Sequence, residues 1–250
     1  MTSHKENLCG LTDGGILSPR LKTVCDMISR VRADIGKSRS FILADIGTDH
    51  GKLPIQCIKD DICSFVYAAD LREGPLASAK KNISLHGISE DRIKTVLSDG
   101  LDSVPQDYDC VSIAGMGGLL IADIVSRSPK AAVFVLSPMS SIEDLRKWLY
   151  DNSYSITDER VAREDRRLYT VIRAEKSLSA ISYTLFDCYF SAAMRDRYAE
   201  DKEIRDYFDY VISQMKKIVL GQEKSPHKSE SYTKALKVIS EGEKFIDSMR

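Results

Sequence analysis

In Asp45-Ile46-Gly47-Thr48-Asp49-His50-Gly51 an apolar run ends in two carboxylates, a small hydroxyl, an imidazole and two glycines. Such a junction, at the end of a strand and the start of a helix, is where doubly wound α/β folds bind nucleotide-like ligands. A dinucleotide fingerprint would read G-x-G-x-x-G, but Asp49 stands two residues after Gly47, and Lys52 occupies the last glycine position. A carboxylate in this turn repels a pyrophosphate, and the chain has no G-x-x-x-x-G-K-[ST] phosphate loop elsewhere. Acids in the turn favour instead a ligand with cationic groups, such as the ammonium and sulfonium of S-adenosylmethionine.

Two further acids recur at strand ends. Asp70, followed by Leu71, lies 25 residues after Asp45, where a carboxylate can accept hydrogen bonds from both ribose hydroxyls. Asp99, followed by Gly100, closes the third strand and could hold an adenine amino group. Singly, each acid reads equally well as ordinary turn chemistry, because Asp and Gly are what α/β turns use. The fourth element, Ala114-Gly115-Met116-Gly117-Gly118, carries three glycines that let a flat substrate approach closely. A [DN]-P-P-[FY] motif, common where exocyclic amines of bases are methylated, is absent. The absence fits an acceptor with a free lone pair, such as adenine ring N1, for which positioning and desolvation suffice and a general base is optional.

These residues need a scaffold. Five short apolar runs (41–46, 65–69, 93–97, 110–114 and 132–136) alternate with helical patterns at 53–59, 74–86, 118–126 and 141–152, which predicts a doubly wound parallel sheet. The runs 154–161 and 168–174 are separated by only six residues and predict an antiparallel hairpin completing a seven-strand sheet. Ser18-Pro19 opens an amphipathic helix ahead of the sheet. Beyond Glu175 the pattern is helical: Ile204 to Val219 keep an i, i+3, i+4, i+7 stripe, Gly221 is placed to stop that helix, and the period restarts at Tyr232. The expected domains are a mobile lead-in over 1–16, a ligand-binding α/β domain over 17–175 and a helical hairpin over 176–250.

Lys and Arg total 36 against 37 Asp and Glu, so whole-chain charge points to no polyanionic partner. By segment, however, residues 1–40 carry +3, 41–175 carry −5 and 176–250 carry +1, an acidic sheet with more basic flanks. The six cysteines form no C-x-x-C pair and read as reduced and buried, and the four histidines make no metal-ligand cluster. No apolar run approaches a membrane span and no secretory signal opens the chain, so a soluble, metal-free, cytoplasmic protein is expected, with monomer as the default.

Six segments carry a resemblance: Leu17-Ser18-Pro19-Arg20-Leu21, Ala44 to His50, Gly74-Pro75, Asp99-Gly100-Leu101, Ile113 to Gly118, and Leu145-Arg146-Lys147-Trp148-Leu149. Over roughly residues 17–175 the chain resembles the TrmK family of bacterial tRNA (adenine-22-N1)-methyltransferases. The resemblance implies a class I, Rossmann-like methyltransferase sheet with a C-terminal helical, coiled-coil-like domain that helps bind tRNA. It implies that Asp45, Gly47, Thr48, Asp49 and His50 line the S-adenosylmethionine site. By the same likeness Asp70, Leu71, Asp99 and Gly100 hold the adenosine half, and Ala114 and Gly115 border it. Gly115 to Gly118 would border the target base, with Met116, Gly117, His50 and Arg20 nearest to it. The chain departs from the family where Ser137-Pro138-Met139 replaces Gln-Pro-Asn and where Lys52 follows Gly51. Two other readings stay open: an NAD(P)-dependent oxidoreductase, and a non-catalytic RNA-binding module that keeps the fold. Tyr154, Tyr169 and Tyr183 read first as packing residues, and Arg160, Arg163, Arg166, Arg167 and Arg173, interleaved with acids, as a solvated face.

Overall fold

Seven strands among the described residues form one sheet: β1 (Ile42–Ile46), β2 (Phe65–Asp70), β3 (Ile93–Leu97), β4 (Cys110–Ala114), β5 (Val133–Ser137), β6 (Tyr154–Glu164) and β7 (Arg167–Lys176). The computed structural model describes residues 17–36, 39–128 and 132–249; the expected lead-in over 1–16, with Cys9, lies outside them. The strand order is β3-β2-β1-β4-β5-β7-β6, with β1 to β5 parallel and β7 antiparallel to both of its neighbours. The order reverses direction between β1 and β4, so the crevice at their C-terminal ends is the place where such sheets bind ligands.

Alternate residues of each strand feed opposite layers. Leu43 and Val66 point to helices α1 (Pro19–Ile35), α2 (Lys52–Lys59) and α3 (Glu73–Leu85). Ala44, Ile46 and Val111 point to α4 (Gly118–Ser126) and α5 (Ile142–Asp151). Helix α1 starts as the sequence predicts: Ser18 Oγ accepts from the Leu21 amide at 3.4 Å, Pro19 takes the first position, and Gly36 ends it at φ 93°. The five cysteines among the described residues are buried and unbridged.

The β6–β7 connection is tighter than expected. The strands run to Glu164 and from Arg167, leaving a turn of Asp165 and Arg166 with Asp165 at φ 54°. Pairing of Ala162 with Tyr169 and Arg163 with Leu168 draws the charged segment into the ladder, because alternate side chains find partners on either side. Arg163 pairs with Asp206, and Glu164 Oε2 accepts from the Arg20 amide at 3.4 Å. β7 begins five residues ahead of Ile172, the partner of Leu136 in β5. β5 ends one residue later, at Ser137, so the hairpin overhangs the C-terminal end of the sheet by four residues, roughly 13 Å at about 3.3 Å per residue.

The tail comprises α6 (Leu185–Tyr189), α7 (Ala192–Arg195), α8 (Lys202–Gln222) and α9 (Glu230–Ser248). Gly221 does not end α8, which continues through Gln222. Gln222 Oε1 accepts from the Ser229 amide at 3.0 Å and Ser229 Oγ at 2.8 Å, so the start of α9 holds the last turn that glycine propensity alone would release. Phe190, Phe208, Tyr207, Ile204 and Val238 build a third core that also takes Val161 of the hairpin.

Arg146 of α5 and Glu159 of β6, both fully buried, join sheet and tail at Nη2–Oε1 2.7 Å. Arg146 Nη1 donates to the carbonyls of Cys188 and Tyr189 at 2.9 and 2.8 Å, and Ser191 Oγ donates to Glu159 Oε2 at 2.5 Å. Burial opposes the guanidinium charge, but the adjoining carboxylate outweighs it and moves the Arg146 pKa upward. Glu159→Ala leaves that charge buried and uncompensated, and should cost about 3–5 kcal/mol in urea unfolding; Arg146→Met combined with Glu159→Leu should recover much of the loss.

Candidate active site

The β1 end is pinned to β2: the amides of Gly47 and Thr48 both donate to the Ala69 carbonyl at 2.9 Å. Gly47 (φ 75°) and Asp49 (φ 52°) then take left-handed conformations that turn the chain into α2. A Cβ on Gly47 would lie 2.5 Å from Met116 Cε, the free end of a flexible side chain that can swing aside, so the positive φ rather than this contact is what demands glycine here. His50 does not cap α2, whose N-cap is Gly51; its side chain is half exposed, with Nε2 3.7 Å from Asp49 Oδ2.

Asp45 sits at the bottom of the crevice, 4% exposed, and Ser112 Oγ donates to its Oδ1 at 2.6 Å. Burial raises its pKa from 3.8 to about 6, opposed by the Ser112 hydrogen bond and by the nearby Thr48 hydroxyl. Thr48 Oγ1 is buried yet completes no hydrogen bond of ordinary geometry. Asp70 is almost as buried; its carboxylate accepts from the Arg72 amide at 3.0 Å and the Asp49 amide at 3.4 Å. Asp99 lies two residues past the end of β3 rather than closing it, and its exposed carboxylate meets Arg127 Nη2 at 3.1 Å.

These groups line one cavity of about 620 Å³, with Arg20, His50, Leu71, Gly100, Ala114, Gly115 and Met116 also on its wall. Gly117 and Gly118, both expected at the site, are not on this wall: Gly117 is the N-cap of α4, where a Cβ would stand 3.1 Å from Ser140 Oγ, and Gly118 packs against the Ser141 carbonyl, which leaves no room for a Cβ. The sequence reading missed Ser112, whose signal was a hydroxyl in the apolar β4 run at the register position of Asp45. It also missed Arg127 and Ser98, whereas Met139 comes from the Ser137-Pro138-Met139 segment that the sequence singles out; the Ser137 Oγ of that segment is buried without a partner.

The cavity suits a cationic nucleoside-like ligand. The buried acid at its base and the unsatisfied Thr48 hydroxyl fit the amino acid moiety of S-adenosylmethionine, and Asp70 retains acceptor capacity for ribose hydroxyls.

The family described as a methyltransferase domain matches residues 17–172. The chain belongs to that family. Its sheet and the crevice at the β1/β4 switch point are those of the Rossmann-like methyltransferase fold. The tRNA (adenine(22)-N(1))-methyltransferase of Bacillus subtilis (strain 168) is 32% identical over 164 residues, which are 64% of this chain and 65% of that protein. Thus less than two thirds of that relative is covered. The structure of M. capricolum TrmK in complex with S-adenosyl-homocysteine is similar at a TM-score of 0.76 and 25% identity, covering 94% of this chain and 99% of that one. The crystal structure of B. subtilis TrmK shares the fold at a TM-score of 0.74, with 24% identity and coverage of 94% and 99%. No helix among the described residues is long and apolar enough to cross a membrane.

Because the folded protein holds the Asp45 proton more tightly than the unfolded chain, its contribution to stability is fully present below pH 3.8 and is lost as pH rises through about 6. The difference amounts to at most about 3 kcal/mol. Asp45→Asn should flatten the pH dependence of urea unfolding between pH 4 and 7.5, and a profile parallel to the parent protein's would refute the assignment. Gly47→Ala should lower stability by about 1–2 kcal/mol through left-handed strain.

Proposed function

We propose that this methyltransferase transfers the methyl group of S-adenosylmethionine to N1 of an adenine in tRNA, with adenine 22 as the position suggested by the names of its Bacillus subtilis relatives. The observation that carries the donor reading is the convergence of Asp45, Asp49, Asp70 and Asp99 on one cavity at the β1/β4 switch point. That charge pattern attracts an ammonium and a sulfonium and repels a dinucleotide pyrophosphate. The names of the relatives support the substrate.

When bound, the donor supplies a methyl group made electrophilic by its sulfonium. Asp45 and Asp49 hold the amino acid moiety through charge, and Thr48 gives its spare hydroxyl to the same end. Asp70 accepts from the ribose hydroxyls. Gly100 and Asp99 flank the adenine, Asp99 with Oδ1 already committed to Arg127. Gly115 and Met116 leave an opening for a flat base beside the donor, with Arg20 and His50 at its rim. Ring N1 carries its own lone pair, so these residues need only orient the base and exclude water. An adenine held within a helix must first leave its stack to reach this depth.

Incubation of the protein with labelled donor and unmodified tRNA, followed by digestion and mass spectrometry of nucleosides, should yield 1-methyladenosine. Its absence across several adenine-bearing tRNAs would refute the proposal. Asp70→Ala should weaken S-adenosylhomocysteine binding by roughly 10-fold or more, since a charge-assisted hydrogen bond contributes about 1.5–3 kcal/mol; unchanged calorimetric affinity would remove Asp70 from the ribose site. Affinity for the donor should rise between pH 5 and 7 as Asp45 ionises, and Asp45→Asn should abolish that rise.

A further inference from the structure

The hairpin arginines, alike in sequence, separate sharply in the structure. Arg160 pairs with Asp158, Arg163 with Asp206, and Arg173 with Asp34 and Glu175. Arg166 and Arg167, exposed at the overhanging turn, have no ion-pair partner among the described residues. Both line a second cavity of about 480 Å³ between the turn, the start of α5 and helix α8. Its walls include Tyr169 from β7, Tyr189 from the end of α6 and the half-exposed Tyr210 from α8; Glu143 is its free acidic group, since Arg146 is sealed against Glu159.

This groove adjoins the donor cavity. Met139 lines both, and between them the Arg20 guanidinium lies over the Tyr169 ring at 5.4 Å. Arg20 Nη1 is buried without a hydrogen-bond partner, and a Cβ on Gly115 would stand 3.9 Å from it. A cationic rim, several aromatic faces and a volume within the roughly 300–1,000 Å³ of small-ligand sites match one unstacked nucleotide: base against tyrosine, phosphate on arginine. We propose that this groove holds a nucleotide of the RNA strand adjacent to the target adenine, with Arg166 and Arg167 on its phosphodiester, Tyr210 against its base, and the Arg20–Tyr169 pair as the partition between the two bases. The assignment rests on the proposed tRNA substrate and adds where the flanking strand lies.

The test uses the full chain with an unmodified tRNA transcript. Arg166→Ala combined with Arg167→Ala should raise the KM for tRNA at least 10-fold, with little change in kcat, and make the log–log salt dependence of tRNA affinity shallower by about one to two. Tyr210→Ala, on the opposite wall, should weaken tRNA binding by roughly 5- to 100-fold, the range of one lost base stack. Calorimetric affinity for S-adenosylhomocysteine should stay at the parent value in both. Parent-like tRNA affinity in both variants, as expected if the groove serves a protein partner, overturns the proposal, as does a loss confined to kcat. If the parent protein binds tRNA without forming 1-methyladenosine while both variants lose binding, the groove stands and the proposed reaction falls.

Discussion

The buried Arg146–Glu159 pair is the constraint on which the rest of the architecture depends. Two ions removed from water are tolerable only when every remaining hydrogen-bonding direction is filled, and here the fillers come from different parts of the chain. The carbonyls of Cys188 and Tyr189 and the hydroxyl of Ser191 belong to the tail, the guanidinium to α5 and the carboxylate to β6. Satisfying one pair therefore fixes the tail, the hairpin and α5 against one another. That junction sets where the overhanging turn ends, and so sets the contact of Arg20 with Tyr169 at the mouth of the donor cavity.

Most of the donor cavity was legible in the sequence because its residues follow apolar strands directly. A strand end followed by a helix start confines Asp45, Gly47, Thr48 and Asp70 to the same edge of a parallel sheet whatever the detailed packing. What stayed hidden depended on register and on long-range pairing. Ser112 meets Asp45 only because β1 and β4 are adjacent and paired at that position, and Arg127 reaches Asp99 across 28 residues. The hairpin turn was misread for a related reason: charged residues suggest a loop, but Arg163 and Glu164 stay in the ladder because Asp206 and the start of α1 receive them. Gly221 likewise stays helical against its intrinsic preference because the side chain of Gln222, next to it, is held by the amide and hydroxyl of Ser229.

Charge shows the same distinction between composition and arrangement. A net charge of −1 says little, and a run of five arginines mixed with acids reads as a solvated face. Pairing within the fold consumes three of those arginines and leaves two together at one turn. The acidic donor cavity and this basic turn impose opposite preferences a short distance apart, so the electrostatic information lies in which charges remain unpaired.

The long hairpin also has a bearing on association. β6 is an eleven-residue strand at the outer edge of the sheet, and an open edge of that length offers a row of backbone donors and acceptors to any other extended chain. Helices α7 and α8 pack along it, and Val161 and Arg163 anchor them there. The opposite edge, β3, is only five residues long and presents an exposed Lys94. The helical tail thus adds bulk beside this edge from one face of the strand, the face that carries Glu159, Val161 and Arg163, and narrows the approach of a second molecule from that side only.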